Sequence, residues 1–166
     1  MKRAIVIALL LLASCQADQQ QAAPKKDPIS AGVLVDFGDF TFVEAEDETA
    51  SNLEAFLRET IPERYEIIDT TVRSVHRNGE PAGAEVIAAA LDRGKVELRR
   101  FYLQILNALT PGKGQAIADG RAVLIASEGT TVVATFPTEE VLLYMVGEDD
   151  DLMEELTVSL LRLNGG

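Results

Sequence analysis

The chain has 166 residues, a formal net charge of −12 and 47% hydrophobic residues, a composition typical of one globular domain and not of a disordered or fibrous protein. An acidic surface of this kind repels phosphate backbones, which excludes nucleic acid as a natural partner. The single cysteine excludes an internal disulfide and a zinc cluster built on cysteines.

Residues 1–14 have the pattern of an export signal. Lys2 and Arg3 precede an apolar run of ten residues, AIVIALLLLA. This run is shorter than the roughly 20 residues needed to span a bilayer, but it suits the core of a signal peptide. We therefore expect the leader to be removed, which takes away two basic residues and leaves a mature chain that is still more acidic.

The leader ends in a run of small residues and a cysteine, Leu12-Ala13-Ser14-Cys15. This run resembles the lipobox of bacterial lipoproteins, and the resemblance covers the leader alone. It implies that the Cys15 thiol is alkylated with diacylglyceryl, that cleavage makes Cys15 the new N-terminus, and that its amine is then acylated. A thiolate is the side-chain nucleophile suited to forming a thioether. The alternatives are an ordinary cleaved signal or a short uncleaved anchor, in either of which Cys15 is incidental.

Lipid on Cys15 implies an exported protein held on a membrane of the cell envelope, because several acyl chains give stable attachment. In a Gram-negative cell, Gln16 in place of an aspartate implies the periplasmic face of the outer membrane. Residues 15–28 comprise this cysteine and the segment QADQQQAAPKKDP, which has no large apolar residue. We expect it to be a flexible tether. Residues 29–166 are then expected to form a single α+β domain.

The first half of this domain predicts a strand, a helix and then a hairpin of two strands. Residues 32–43 alternate partly in Val and Phe, as a strand does. Residues 49–61 place apolar side chains on one helical face, after the acidic residues 44–48 and before Pro62. Residues 65–76 read as a strand, and Asn78-Gly79 is a tight-turn signal. We expect a returning strand over 83–91, although AEVIAAAL also has good helix propensity and a helix over 82–91 stays open.

The second half predicts a helix, a meander and a closing helix. Residues 95–109 have apolar residues at helical spacing and end at Pro111-Gly112. Short apolar runs over 115–118, 121–127, 130–136 and 141–146 are separated by turn residues, which indicates antiparallel strands. Residues 149–163 form the last predicted helix, whose inward face we expect to consist of Leu152, Met153, Leu156, Leu160 and Leu163. The order predicts an α+β fold, mainly an antiparallel sheet with about three helices packed on one face as a two-layer sandwich.

Few residues are candidates for chemistry. His76, the only histidine, lies between Arg73 and Arg77 and has no triad motif beside it, so we interpret it as a surface or strand-end residue. Gly112-Lys113-Gly114 lacks the earlier glycine and the following hydroxyl of a phosphate loop. Ser127-Glu128-Gly129 lacks the preceding glycine of a nucleophile elbow. These patterns predict turns and no catalytic residue.

Charged and aromatic clusters have structural explanations of the same kind. Acidic residues 148–151, with Glu154 and Glu155, lack the spacing of a calcium loop and suit a helix start, as do acidic residues 44–48. Lys95, Arg99 and Arg100 suit a solvated helix face. Of the phenylalanines, we expect Phe40 and Phe42 to share one strand face and Phe37 to take the other, with core packing as their main role.

The sequence therefore predicts a lipid-anchored envelope protein whose domain is not an enzyme, holds no metal or cofactor, and binds a protein or lipidic partner. Two alternatives stay open. One is a carrier of a small hydrophobic ligand between sheet and helices. The other is a small enzyme with unrecognised acid and base carboxylates, which a pocket flanked by paired carboxylates with raised pKa values would favour.

Overall fold

A computed structural model describes residues 28–61, 65–92, 114–127 and 129–165. The leader, the tether up to residue 27, the helix predicted over 95–109 with its basic group, and Gly112-Lys113 lie outside these ranges. Within them the elements are β1 (Phe40–Glu44), α1 (Asp47–Thr60), β2 (Ile67–Arg77), β3 (Glu80–Leu91), β4 (Gln115–Ile117), β5 (Ala122–Ser127), β6 (Thr130–Thr135), β7 (Val141–Gly147) and α2 (Asp150–Leu163), with short 3-10 helices at Ser30–Val33 and Ala118–Gly120.

The strands form one seven-stranded sheet in the order β1-β2-β3-β7-β6-β5-β4. Every neighbouring pair is antiparallel. The first three strands form one meander and the last four form another, and the two join where β3 pairs with β7. The α+β class and the mainly antiparallel sheet are therefore confirmed.

The hairpin between β2 and β3 has the turn that the sequence predicts. Asn78 and Gly79 both have positive φ, at 54° and 82°, a conformation that asparagine and glycine tolerate best. The alternative of a helix over 82–91 is wrong, because β3 is a strand paired with β2 on one side and β7 on the other. Bonds to two neighbouring strands override the local helix propensity of this alanine-rich run.

The first strand is shorter than the predicted run over 32–43. Gly38 has a φ of 54° and turns the chain, so that Phe37 and Phe40 exchange two backbone hydrogen bonds of 3.1 and 2.8 Å. The Phe42 backbone N–H donates to Asp36 Oδ1 at 2.9 Å. These bonds occupy backbone groups of Phe40 and Phe42 on the outer edge of β1, and they leave only residues 40–44 as strand.

The turn also corrects the placement of the three phenylalanines. Phe37 folds back to within 5.1 Å of the Phe40 ring and 6.2 Å of the Phe42 ring, measured between ring centroids. All three rings therefore pack on the same core, with Phe40 fully buried. The Arg77 guanidinium lies 5.0 Å from the Phe40 ring centroid and its Nε donates to Asp39 Oδ2 at 2.8 Å.

The two helices lie on opposite faces of the sheet, so the predicted two-layer sandwich is wrong. On β3, Val86, Ala88 and Ala90 face one core with the buried face of α2. The alternate residues Ile87, Ala89 and Leu91 face the second core with α1. Because successive side chains on a strand point to opposite faces, a central strand buried on both sides needs cover above and below.

The helix faces agree with the predicted periodicity, with one exception. Leu57 of α1 is buried against the sheet, and Leu53 and Phe56 are partly buried beside it. In α2 the buried face includes Leu156 and Leu160, but Leu163 is exposed, whereas Leu161 is buried. The helix ends at Leu163, where the sheet no longer covers the predicted face.

Candidate functional site

An irregularity in the β2–β3 pairing opens a cavity at one end of the sheet. Val75 pairs with Ala84, but the next residue, His76, pairs with Pro81. Two residues of β3, Ala82 and Gly83, therefore have no partner on β2, and Gly83 has a φ of 68°. Such bulges bend a strand and redirect its side chains, and they are common beside functional sites.

The cavity, which we call the Glu85 cavity, has a volume of about 440 Å³ and lies between the sheet and the start of α1. This size is within the range of small-molecule pockets. Its lining combines polar and apolar groups and comes from β1, β2, β3 and the start of α1. The lining residues are Glu44, Glu46, Thr49, Ser74, Val75, His76, Pro81, Gly83, Ala84 and Glu85.

The central interaction of the Glu85 cavity is between Ser74 and Glu85. These residues are cross-strand partners, and the Ser74 hydroxyl lies 3.0 and 2.8 Å from the two carboxylate oxygens of Glu85. Both side chains are partly buried. Glu85 shares its strand face with Ile87 and Ala89 of the second core, so this carboxylate lies where an apolar side chain would ordinarily continue the core.

Burial raises the pKa of Glu85 above its ordinary value of 4.5. The Ser74 hydrogen bond acts in the opposite direction, because it stabilises the ionised form. The negative charge of Glu46 raises the pKa further, and His76 lowers it. Glu85 is therefore a carboxylate whose ionised form is opposed by its surroundings.

Replacing Glu85 with glutamine should stabilise the domain at pH 7. The raised pKa means that ionisation of Glu85 costs folding free energy as the pH rises from 4.5 through the value in the folded protein. Glutamine carries no charge and can still accept the Ser74 hydrogen bond. We expect a gain of about 0.5 kcal/mol, kept small because solvent screens a half-buried group. Denaturant unfolding of the full chain at several pH values measures it.

The same measurement on Glu80→Gln provides the control, because Glu80 is exposed on the same strand. The advantage of Glu85→Gln should disappear below about pH 4.5, where the carboxyl group of the unfolded chain is also protonated. This explanation would be contradicted if Glu85→Gln were less stable than the parent chain at pH 7. It would also be contradicted if the gain in unfolding free energy were as large at pH 4 as at pH 7.

His76 is the next-to-last residue of β2, which agrees with the prediction of a strand-end residue, but it is half-buried and lines the Glu85 cavity. It stands two positions from Ser74 on the same strand face. The Ser74 hydroxyl is nevertheless engaged by Glu85, and in the part of the chain that the structure describes no hydroxyl is hydrogen-bonded to His76. The arrangement lacks the nucleophile-to-base contact that serine hydrolysis requires.

The acidic run at the second helix caps that helix, as the sequence predicts. The Asp149 side chain accepts a hydrogen bond of 3.0 Å from the Leu152 backbone N–H, which satisfies one of the free donors of a helix start. The Thr131 hydroxyl donates to Asp150. Within the described ranges, no group of three or more His, Cys, Asp or Glu residues is placed to hold a metal ion.

The first acidic run behaves differently. Glu46 is the N-cap residue of α1 but its side chain makes no capping hydrogen bond, and only Asp47 and Glu48 lie in the first turn. The prediction that all of residues 44–48 serve the helix start is therefore wrong. Glu44 ends β1, and Glu44 and Glu46 both line the Glu85 cavity.

Sequence analysis did not single out Glu85, Ser74 or Thr49. A signal was present for Glu85, since it is the one charged residue in AEVIAAAL. It lies two and four residues before Ile87 and Ala89, so in a strand all three side chains point to the same face. This spacing indicates an inward-facing charge. Ser74 and Thr49 carry no such signal, because their roles depend on strand register and helix placement.

Within the described ranges, neither α-helix has the length and hydropathy required to cross a bilayer. No family model matches the chain, and no curated protein or solved structure is significantly similar to it. The functional argument therefore depends on the chain's own residues.

Proposed function

We propose that this chain is a lipoprotein of the cell envelope, anchored through lipid on Cys15, whose domain is a binding module that uses the Glu85 cavity. The observation that carries the anchor is the sequence Leu12-Ala13-Ser14-Cys15 directly after a short apolar leader. If the cell is Gram-negative, Gln16 favours the outer membrane. Residues up to 28 would then connect the lipid to the domain.

The start of the domain supports this arrangement. The backbone N–H groups of Ile29 and Ser30 donate to the Asp69 carboxylate at 3.1 and 2.9 Å, and the Ser30 and Thr71 hydroxyls are 2.7 Å apart. The chain is thus fixed to β2 from residue 29 onward. A tether would end at these hydrogen bonds, which would join it firmly to the sheet.

The binding role is favoured over catalysis by the chemistry of the Glu85 cavity. Burial raises the pKa of Glu85, but general acid and base catalysis by carboxylates needs a pair of them with separated pKa values. The Ser74 hydroxyl is held by Glu85. The cavity therefore has groups suited to recognition and lacks an activated nucleophile.

The alternative of a carrier for a hydrophobic ligand has less support. The Glu85 cavity is bordered by carboxylates and hydroxyls, and burying such groups against an apolar ligand is unfavourable. Two other cavities in the described ranges are also bordered by acidic residues, including Asp149–Asp151 in one and Glu139–Glu140 in the other. A polar partner fits the Glu85 cavity and the cavity at Asp149–Asp151 better, whereas the third cavity is also lined by Ile29, Val33 and Val141.

Mass spectrometry of the protein purified from its own membranes tests the anchor. We expect an N-terminal peptide that begins at Cys15 and carries a diacylglyceryl thioether, usually with an added acyl chain on the amine. An intact leader, or an unmodified thiol at the new N-terminus, would overturn the membrane assignment. The domain and its cavity would be unaffected by that result.

A further inference from the structure

Glu85 is a partly buried carboxylate that forms no ion pair with any of the described residues. Its hydrogen bonds come from the Ser74 hydroxyl. Both ion pairs among the described residues belong to Arg77, which pairs with Asp39 and Glu155. Charged groups taken out of water in folded proteins are normally paired. The floor of the Glu85 cavity therefore carries a negative charge that no ion pair within the described part of the chain neutralises.

The remaining lining adds negative charge and hydrogen-bond acceptors. Glu44 and Glu46 are exposed at the rim, and His76 is the one basic group among the lining residues. The hydroxyls of Ser74 and Thr49 complete the polar surface. An anionic ligand would be repelled by three carboxylates, whereas ammonium and guanidinium groups supply only donors together with positive charge.

We propose that the Glu85 cavity binds a positively charged ammonium or guanidinium group, with Glu85 as its counter-ion and Glu44 and Glu46 as the rim that attracts it. This inference rests on the proposed binding function and names the ligand chemistry of that site. The cavity volume of about 440 Å³ is enough for the end of a basic side chain or of a small polyamine. A basic side chain of an envelope protein and a free polyamine are the two sources of such a group.

The structure also gives the direction of pH dependence. A bound cation stabilises the ionised form of Glu85, so binding competes with protonation and strengthens as the pH rises above 4.5. The charged groups that act on Glu85 are Glu46 at the start of α1 and His76 of β2, and Glu44 at the end of β1 also lines the cavity. Val146, the neighbour of Glu85 on β7, is apolar. Affinities are compared at pH 8, well above the ordinary pKa of a glutamate.

The test uses the purified full-length chain in micelles of a neutral detergent, labelled with ¹⁵N. The probes are the blocked tripeptide Ala-Arg-Ala, spermidine, and the blocked tripeptide Ala-citrulline-Ala, a neutral isostere of the first. Chemical-shift changes at the backbone amides of Gly83 and Glu85 report binding. We expect saturable shifts with at least one cationic probe and none with the citrulline peptide.

Glu85→Gln should weaken binding of the cationic probe about 10-fold, the effect of losing one charge-assisted hydrogen bond. Glu59→Gln, the same change at an exposed site near the end of α1, should leave the affinity unchanged. Tighter binding of the arginine peptide than of spermidine assigns the site to a protein side chain, and the reverse order assigns it to a free polyamine. Absence of shifts with both cations, equal binding of the citrulline peptide, or full affinity in Glu85→Gln would overturn the proposal while leaving the Cys15 anchor standing.

Discussion

Replacing Cys15 with serine should abolish incorporation of labelled fatty acid and leave the leader uncleaved. A serine hydroxyl is a poor nucleophile without an activating base, whereas a thiol ionises readily enough to form the thioether. In the lipoprotein route that the leader resembles, cleavage follows this modification. The protein should therefore accumulate as the longer precursor. Metabolic labelling with a fatty acid and gel mobility measure both effects.

Ser14→Ala is the matched control for this experiment. It changes the neighbouring residue but keeps a small side chain before Cys15, as the resemblance to a lipobox requires. We expect labelling and cleavage to continue at the level of the parent chain. Labelling that persists in Cys15→Ser, or cleavage at an unchanged rate, would show that Cys15 is incidental and that the leader is an ordinary signal.

Replacing Leu156 with alanine should destabilise the domain by about 2–5 kcal/mol, the usual cost of truncating a leucine in a closed core. Leu156 is 0% exposed and lies between α2 and the sheet. The cavity left by the missing methyl groups cannot be filled easily, because the neighbouring strands are fixed by hydrogen bonds on both sides. Urea unfolding of the full chain, with the slope compared between variants, measures the loss.

Leu163→Ala is the matched control on the same helix. Leu163 is 52% exposed, so its truncation removes little buried surface and should cost less than about 0.5 kcal/mol. Comparable losses in the two variants would mean that α2 does not pack on the sheet as described. A change in the slope of unfolding free energy against urea concentration would instead indicate that the folded or the unfolded state has changed in compactness.

Most strands and both described helices could be predicted from local patterns. The Asn78-Gly79 turn specified the hairpin, because few residues other than asparagine and glycine accept positive φ at both positions. Asp149 marked the start of α2 through its ability to accept a backbone hydrogen bond. Both signals are local, so they can be recognised without knowledge of the rest of the chain.

The placement of helices on both faces of the sheet was not predicted, although the sequence contained evidence for it. The runs in β3 and β7, AEVIAAAL and VLLYMV, are almost continuously apolar, which is typical of strands covered on both faces. A two-layer sandwich would instead produce alternation with polar residues. The Glu85 cavity was harder to foresee, because it arises from an offset between Val75 and His76 on one strand and Pro81 and Ala84 on the next. Pairing between strands is not encoded in the spacing of either one.

If the chain is anchored to a membrane as proposed, the fold-back of residues 36–40 affects how neighbouring copies could pair. Confinement to a surface raises the local concentration of an anchored protein, and an open strand edge could then recruit the edge of an identical neighbour. Phe37 already occupies the outward N–H and C=O of Phe40, and Asp36 occupies the outward N–H of Phe42. At the opposite edge, β4 is only three residues long. Even when such molecules are crowded, the edges of the sheet therefore offer few free backbone groups with which a second copy could pair.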